Sequence, residues 1–128
     1  MIKRGFTLAI GASLALTVTG CGGVEPDAHY ETVDDFHEAL ESEGFPCPEQ
    51  GRADVFEGHG EELRCSSGMA LIAWEEDMPD YAGSTTRISF GASLNGNQTL
   101  VSDTWMIIHD NPNLLDEIAE TFGGERFD

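Results

Sequence analysis

The chain has 128 residues, with 24 Asp and Glu against six Lys and Arg, and a formal charge of −18 at neutral pH. A field of that sign repels phosphate backbones and anionic lipid headgroups, and the basic patch that nucleic-acid binding needs is missing, which sets aside nucleic-acid binding and electrostatic adsorption to membranes. A solvated acidic surface that keeps a protein soluble and apart from its neighbours accounts for the excess, and a positively charged partner remains compatible with it.

Residues 1–20 open with Lys3 and Arg4, continue through an apolar stretch from Phe6 to Val18 and end in small or hydroxyl residues before Cys21, which is the grammar of a secretory leader. The apolar run is shorter than the ~20 residues that cross a bilayer. Val18-Thr19-Gly20-Cys21 resembles the lipobox of bacterial lipoproteins. That resemblance implies a diacylglyceryl group on the Cys21 thiol, palmitate-type acylation, cleavage between Gly20 and Cys21, and attachment to the extracytoplasmic face of the cell membrane. Two acyl chains hold where one is marginal, because each buried CH₂ contributes about 0.8 kcal/mol.

About 108 residues would then remain, the size of one domain, with Arg52, Arg64, Arg87 and Arg126 against all 24 acids, a formal charge near −20. Residues 21–31, with Gly22-Gly23 and Pro26, read as the lipidated cysteine and a flexible tether of about 17 Å. Residues 32–128 read as the single domain. Cys47 and Cys65 are left as an even pair in an oxidising compartment, where a disulfide is the default, and their spacing matches no zinc pattern.

Thr32 to Gly44 predicts a helix, capped by Thr32 with Asp35 in the capping-box position and with Val33, Phe36 and Leu40 as its inward stripe. The prolines flanking Cys47 force an extended exit, and Gln50 to Glu62, rich in Gly and acids, reads as a loop. Met69 to Trp74 is apolar on both alternating faces, which suits a central strand covered on both sides. Ser84 to Leu94 alternates as a half-exposed strand, followed by Asn95-Gly96, the strongest hairpin signal in the chain. Thr104 to His109 reads as a further buried strand. Asn111 as cap, Pro112 at the first helical position, the apolar face of Leu114, Leu115, Ile118, Ala119 and Phe122, and Gly123-Gly124 as stop define the last helix. The expectation is an α+β fold: a small, mostly antiparallel sheet of three to four strands, with an N-terminal and a C-terminal helix packed on it and one disulfide.

Motifs for chemistry are sparse. The chain has no G-x-S-x-G elbow, and Gly91 to Gly96 only mimics part of one. Asp34, His37, Glu38 and Glu41 share helical spacings of three and four that could present carboxylates and an imidazole together, but a solvated acidic helix face explains them as well. Asp54, Glu57, His59, Glu61 and Glu62 gather in the expected loop and could hold a hard cation, although the fixed oxygen spacing of a calcium loop is absent. His109 beside Asp110 reads as a hydrogen-bonded strand end, and Trp74 and Trp105 as core. Tyr81, in the loop expected around Met78, Asp80 and Tyr81, is the candidate partner contact, since loops tend to carry function. No cofactor is expected.

The segments "EGFPC", "DTWMII" and "LLDEIAETFGG", with a second cysteine before an apolar strand, also resemble small exported lipoproteins of high-GC Gram-positive bacteria. The resemblance implies an extracytoplasmic domain with a Cys47–Cys65 bridge and carries no activity. The functional expectation is a lipid-anchored module that binds an envelope protein or small ligand without catalysis. Its rival is an envelope-located enzyme or cation-dependent hydrolase with acidic loop residues such as Glu57, Glu61 or Glu62 as general acid or base.

Overall fold

A computed structural model describes residues 24–30 and 32–127, so the leader, the Gly20–Cys21 cleavage point and the Cys21 lipidation site lie outside the described residues. The elements run α1 (Val33–Ser42), β1 (Glu49–Val55), a 3-10 turn (Phe56–Gly58), β2 (Gly60–Cys65), β3 (Ala70–Trp74), α2 (Tyr81–Leu94), β4 (Gln98–Val101), β5 (Trp105–His109), α3 (Pro112–Phe122) and β6 (Glu125–Phe127). The fold is α+β. Among the described residues six strands form one sheet in the order β1-β2-β3-β5-β4-β6, with every pairing antiparallel.

Strand alternation decides which side chain meets which layer. Leu63, Leu71, Ile107 and Leu100 are paired in register across four strands and point to one face, with Ala73 and Trp105, where α1 and α3 cover them. Phe36 sits fully buried at the centre of that layer, stacked on Trp105 with ring centroids 4.8 Å apart and edge-on to Phe122 at 5.9 Å. Ile72, Trp74 and Met106 point to the other face, where Ile88 of α2 packs on them. The two tryptophans thus anchor opposite layers of an α/β/α sandwich.

Three sequence expectations are corrected. The sheet has six strands instead of three or four, because Gln50 to Glu62 is the hairpin of β1 and β2 and not a loop, and because Glu125–Phe127 adds an edge. The β1–β2 hairpin is amphipathic only in its second strand: β1 is exposed or half-exposed along its length, so it carries no apolar period to read. Ser84 to Leu94 is helical, not a strand, so a third helix joins the two that were expected. Its buried positions Ser84, Thr85, Ser89 and Ala92 follow a three-to-four spacing, and Thr85 Oγ1 donates to Tyr81 O at 3.0 Å, so a polar stripe is accommodated against the sheet. Asn95-Gly96 ends this helix instead of turning a hairpin: Gly96 has φ +81°, and the N–H of Asn97 returns to Ala92 O at 2.9 Å. A doubly apolar β3 requires cover on its second face, and α2 supplies it.

α1 starts at Thr32, whose Oγ1 accepts from Asp35 N at 3.1 Å. Asn111 caps α3 by accepting from the N–H groups of Asn113 and Leu114, with Pro112 in the first turn. The Cys47–Cys65 disulfide, with both cysteines buried, ties the exit of α1 to the end of β2.

Residues 24–30, expected as a flexible tether, are docked on the domain. Asp27 N donates to Phe122 O at 2.7 Å, and its carboxylate accepts from Ser102 Oγ at 2.7 Å and Gly124 N at 2.9 Å. The Trp105 indole donates to Ala28 O at 3.2 Å, and Tyr30 packs on Phe36. Val24 joins the core on the α1/α3 side.

Candidate functional site

The side chains singled out on α1 are used within the fold. His37 Nε2 lies 2.6 Å from Cys47 O and 3.4 Å from Glu41. Asp34 and Glu49 both bind the Arg52 guanidinium, whose hydrogen bonds hold the two carboxyls below the usual carboxylate range and push the guanidinium up. Stability from these carboxylates is present above their ordinary pKa and is lost as pH falls through their lowered values. Glu38 is exposed on the same helix.

The candidates of the hairpin are split. Asp54 and Glu61 are cross-strand partners, with Glu61 3.6 Å from Arg52; Glu62 lies 3.5 Å from Arg64. Glu57 sits in the 3-10 turn, and His59 Nδ1 lies 3.3 Å from Glu75. Among the described residues no group of three or more His, Cys, Asp or Glu side chains is arranged to hold a metal ion. His109 is buried, with Nδ1 3.5 Å from Asp110.

Met78, a candidate contact, is buried under the α2 layer and is not available, because the β3–α2 connection folds inward to cover Trp74. Tyr81 is not in a loop but is the first residue of α2; its hydroxyl donates to Ser102 O at 3.0 Å, and its ring lies 5.7 Å from Trp74. Burial, then the nearby charges of Asp103 and Glu125, push the Tyr81 phenol above its ordinary value, and burial followed by Glu43 does the same for Tyr30. These are the chain's two tyrosines. Phenolate absorbance should therefore appear later in a near-ultraviolet pH titration of the folded protein than in denaturant. The linked stability is present below about pH 10 and is lost as pH rises through the folded-state values. Coincident titration curves would refute the upward shift of both phenols.

Asp80 brings the β3–α2 connection to the hairpin turn. It adopts the left-handed conformation, as do Phe56 and Glu57 across from it, and all three line one cleft of about 470 Å³ with His59, Pro79, Ser84, Arg87 and Ile88. Gly83 makes room for the Asp80 carboxylate, since a Cβ there would sit 2.6 Å from its Oδ1. The topology thus unites Glu57 and His59 of one sequence cluster with Asp80 of the other.

Two features escaped the sequence reading. The first is Arg87, in the cleft. The second is the outward face of α2: Phe90 is 64% exposed and Leu94 73%, while Ser89 of the same helix is 1% exposed. Residues 81–102 contain no Asp or Glu, in a chain with 24 of them. That gap in charge is legible in the sequence, but an alternating strand pattern does not place Phe90 and Leu94 together on an outward helix face.

No family model, no curated protein and no solved structure matches this chain.

Proposed function

We propose that this protein is an extracytoplasmic interaction module, anchored to the membrane by a lipid on Cys21 after cleavage at Gly20–Cys21, that works by binding a protein partner through α2 and not by catalysis. One observation carries this proposal. α2 buries Ser84, Thr85 and Ser89 and exposes Phe90 and Leu94, one helical turn apart on a face without acids. An apolar patch on an otherwise polyanionic surface is the place where desolvation is favourable and charge repulsion least.

The flanks define the partner. Glu57 and Asp80 border α2 at the cleft, and Asp103 and Glu125 line the opposite hollow with Tyr81, Ala82 and Thr86. The complementary surface is an envelope protein with an apolar centre and a rim of Lys and Arg. Val24, at the start of the described stem, packs on the α1/α3 side, so an anchor three residues earlier reaches only about 10 Å from that layer. α2 occupies the opposite layer and is turned toward the approaching partner.

A photo-cross-linking amino acid at position 93, exposed on α2 beside Phe90 and Leu94 and introduced in cells that express and lipidate the protein, tests this. The expected result is capture of one envelope protein whose purified form binds less tightly as ionic strength rises, with capture lost in Phe90→Ser/Leu94→Ser. Because both side chains are exposed, that double variant should keep its stability within about 0.5 kcal/mol per site. Capture of this chain's own copies alone, of lipid alone, or of nothing overturns the proposed contact. A Cys21 that carries no diacylglyceryl group by mass analysis overturns the anchor.

A further inference from the structure

We infer that the cleft between the hairpin turn and the start of α2 is a binding site for a small zwitterion with an apolar body, an amino acid or short peptide bearing a free ammonium and a free carboxylate. The site stands on observations independent of the anchor and of the outward face of α2.

The first observation is the state of the arginines. Arg52 is neutralised by Asp34, Glu49 and Glu61, Arg64 lies beside Glu62, and Arg126 binds Asp116. Among the described residues Arg87 is the arginine with no carboxylate within ion-pair distance, and it lines the cleft. A guanidinium left unneutralised in a chain this acidic is a ready anion receptor, with donors in a fork that matches a carboxylate.

The second observation is that the same walls carry unpaired groups of opposite character. Asp80 lines the cleft without capping its own helix, and Glu57 lines it without an ion-pair partner. Ser84 is 7% exposed and lines the cleft with its hydroxyl unused within the protein and reached by solvent, so it is open to a ligand there. His59, paired to Glu75 through Nδ1, keeps Nε2 uncommitted. Phe56, Pro79 and Ile88 supply apolar wall.

Charge selects the ligand. A simple anion would approach Arg87 against the field of the surrounding carboxylates, and a simple cation would meet Asp80 and Glu57 with Arg87 beside them. A molecule carrying both signs satisfies each and meets little net repulsion. The volume of about 470 Å³ falls in the range of small-molecule sites and accommodates an amino acid or a dipeptide.

The test is a chemical-shift titration of the isotope-labelled protein with leucine and with leucyl-leucine, alongside 4-methylpentanoate, which keeps only the carboxylate, and isoamylamine, which keeps only the ammonium. Saturable shifts at Ser84 and Arg87 are expected for leucine, for leucyl-leucine or for both, and which probe binds more tightly separates a free amino acid from a peptide source. Each singly charged analogue should bind at least about tenfold more weakly, and Arg87→Gln and Asp80→Asn should each weaken binding by about tenfold with the remaining spectrum unchanged. The inference is overturned if neither zwitterion gives saturable shifts, if a singly charged analogue binds equally well, or if both variants bind as the parent does. A variant spectrum that changes throughout is replaced by Arg87→Lys, which keeps the charge, loses the fork and should retain part of the affinity.

Discussion

Truncation of Phe36 to alanine is expected to remove about 3–5 kcal/mol of stability, the range for deleting a buried aromatic ring from a packed core. Phe36 is fully buried and ties its own helix α1 to three other parts of the molecule at once: its ring faces Trp105 of β5, Phe122 of α3 and Tyr30 of the stem. None of those neighbours can collapse into the void without leaving its own layer, so most of the cavity cost should persist. A domain of this size holds only about 5–15 kcal/mol in total, which makes this change severe. Urea unfolding should show a lower midpoint with an unchanged slope, and a loss under about 1 kcal/mol would show that the layer repacks around the missing ring.

The second large effect is expected at the disulfide. Cys47 and Cys65 are 18 positions apart, and releasing a loop of that length costs roughly 3 kcal/mol, mainly by enlarging the unfolded ensemble. Replacement of both by alanine should lower the melting temperature by about 4–8 °C for each kcal/mol lost. The staple also fixes the Pro46-Cys47-Pro48 exit from α1, whose Cys47 carbonyl meets His37 Nε2. Both cysteines are buried, so reduction of the native protein should follow opening of the α1/β2 edge and not precede it. A double variant that melts with the parent, or two free thiols in the native protein, would remove the staple from the sources of stability.

What the sequence disclosed tracks how local each determinant is. α3 was legible from its own residues, because cap, first-turn proline, apolar stripe and glycine stop all lie within one segment. β3 was legible because strict apolarity on both faces suits little besides a buried strand, and the disulfide because one pair of cysteines remained. α2 was not legible. Its buried stripe consists of Ser, Thr and Ala, its exposed face holds Phe90 and Leu94, and the alternation of Thr86, Ile88, Phe90 and Ala92 imitates a strand. Its helical state is decided by the sheet face it must cover, which is tertiary information. β1 failed for the opposite reason: its strand state comes from pairing with β2, while its own composition of Glu, Gln, Gly and Arg reads as loop. The cleft inherited both failures, since its two walls are the turn of an unrecognised hairpin and the first turns of an unrecognised helix. Individual residues such as Asp80, Glu57 and His59 could be nominated; their meeting could not.

The pinned stem changes what kind of connector precedes the domain. A chain free from residue 22 to residue 31 would be a leash, letting the body swing through a wide cone. With Val24, Asp27, Ala28 and Tyr30 fastened, this stretch belongs to the body of the domain instead of acting as a leash. The ordering cost of this segment is thereby met when the protein folds, and under the proposed anchor on Cys21 it is not charged again when a partner binds at α2.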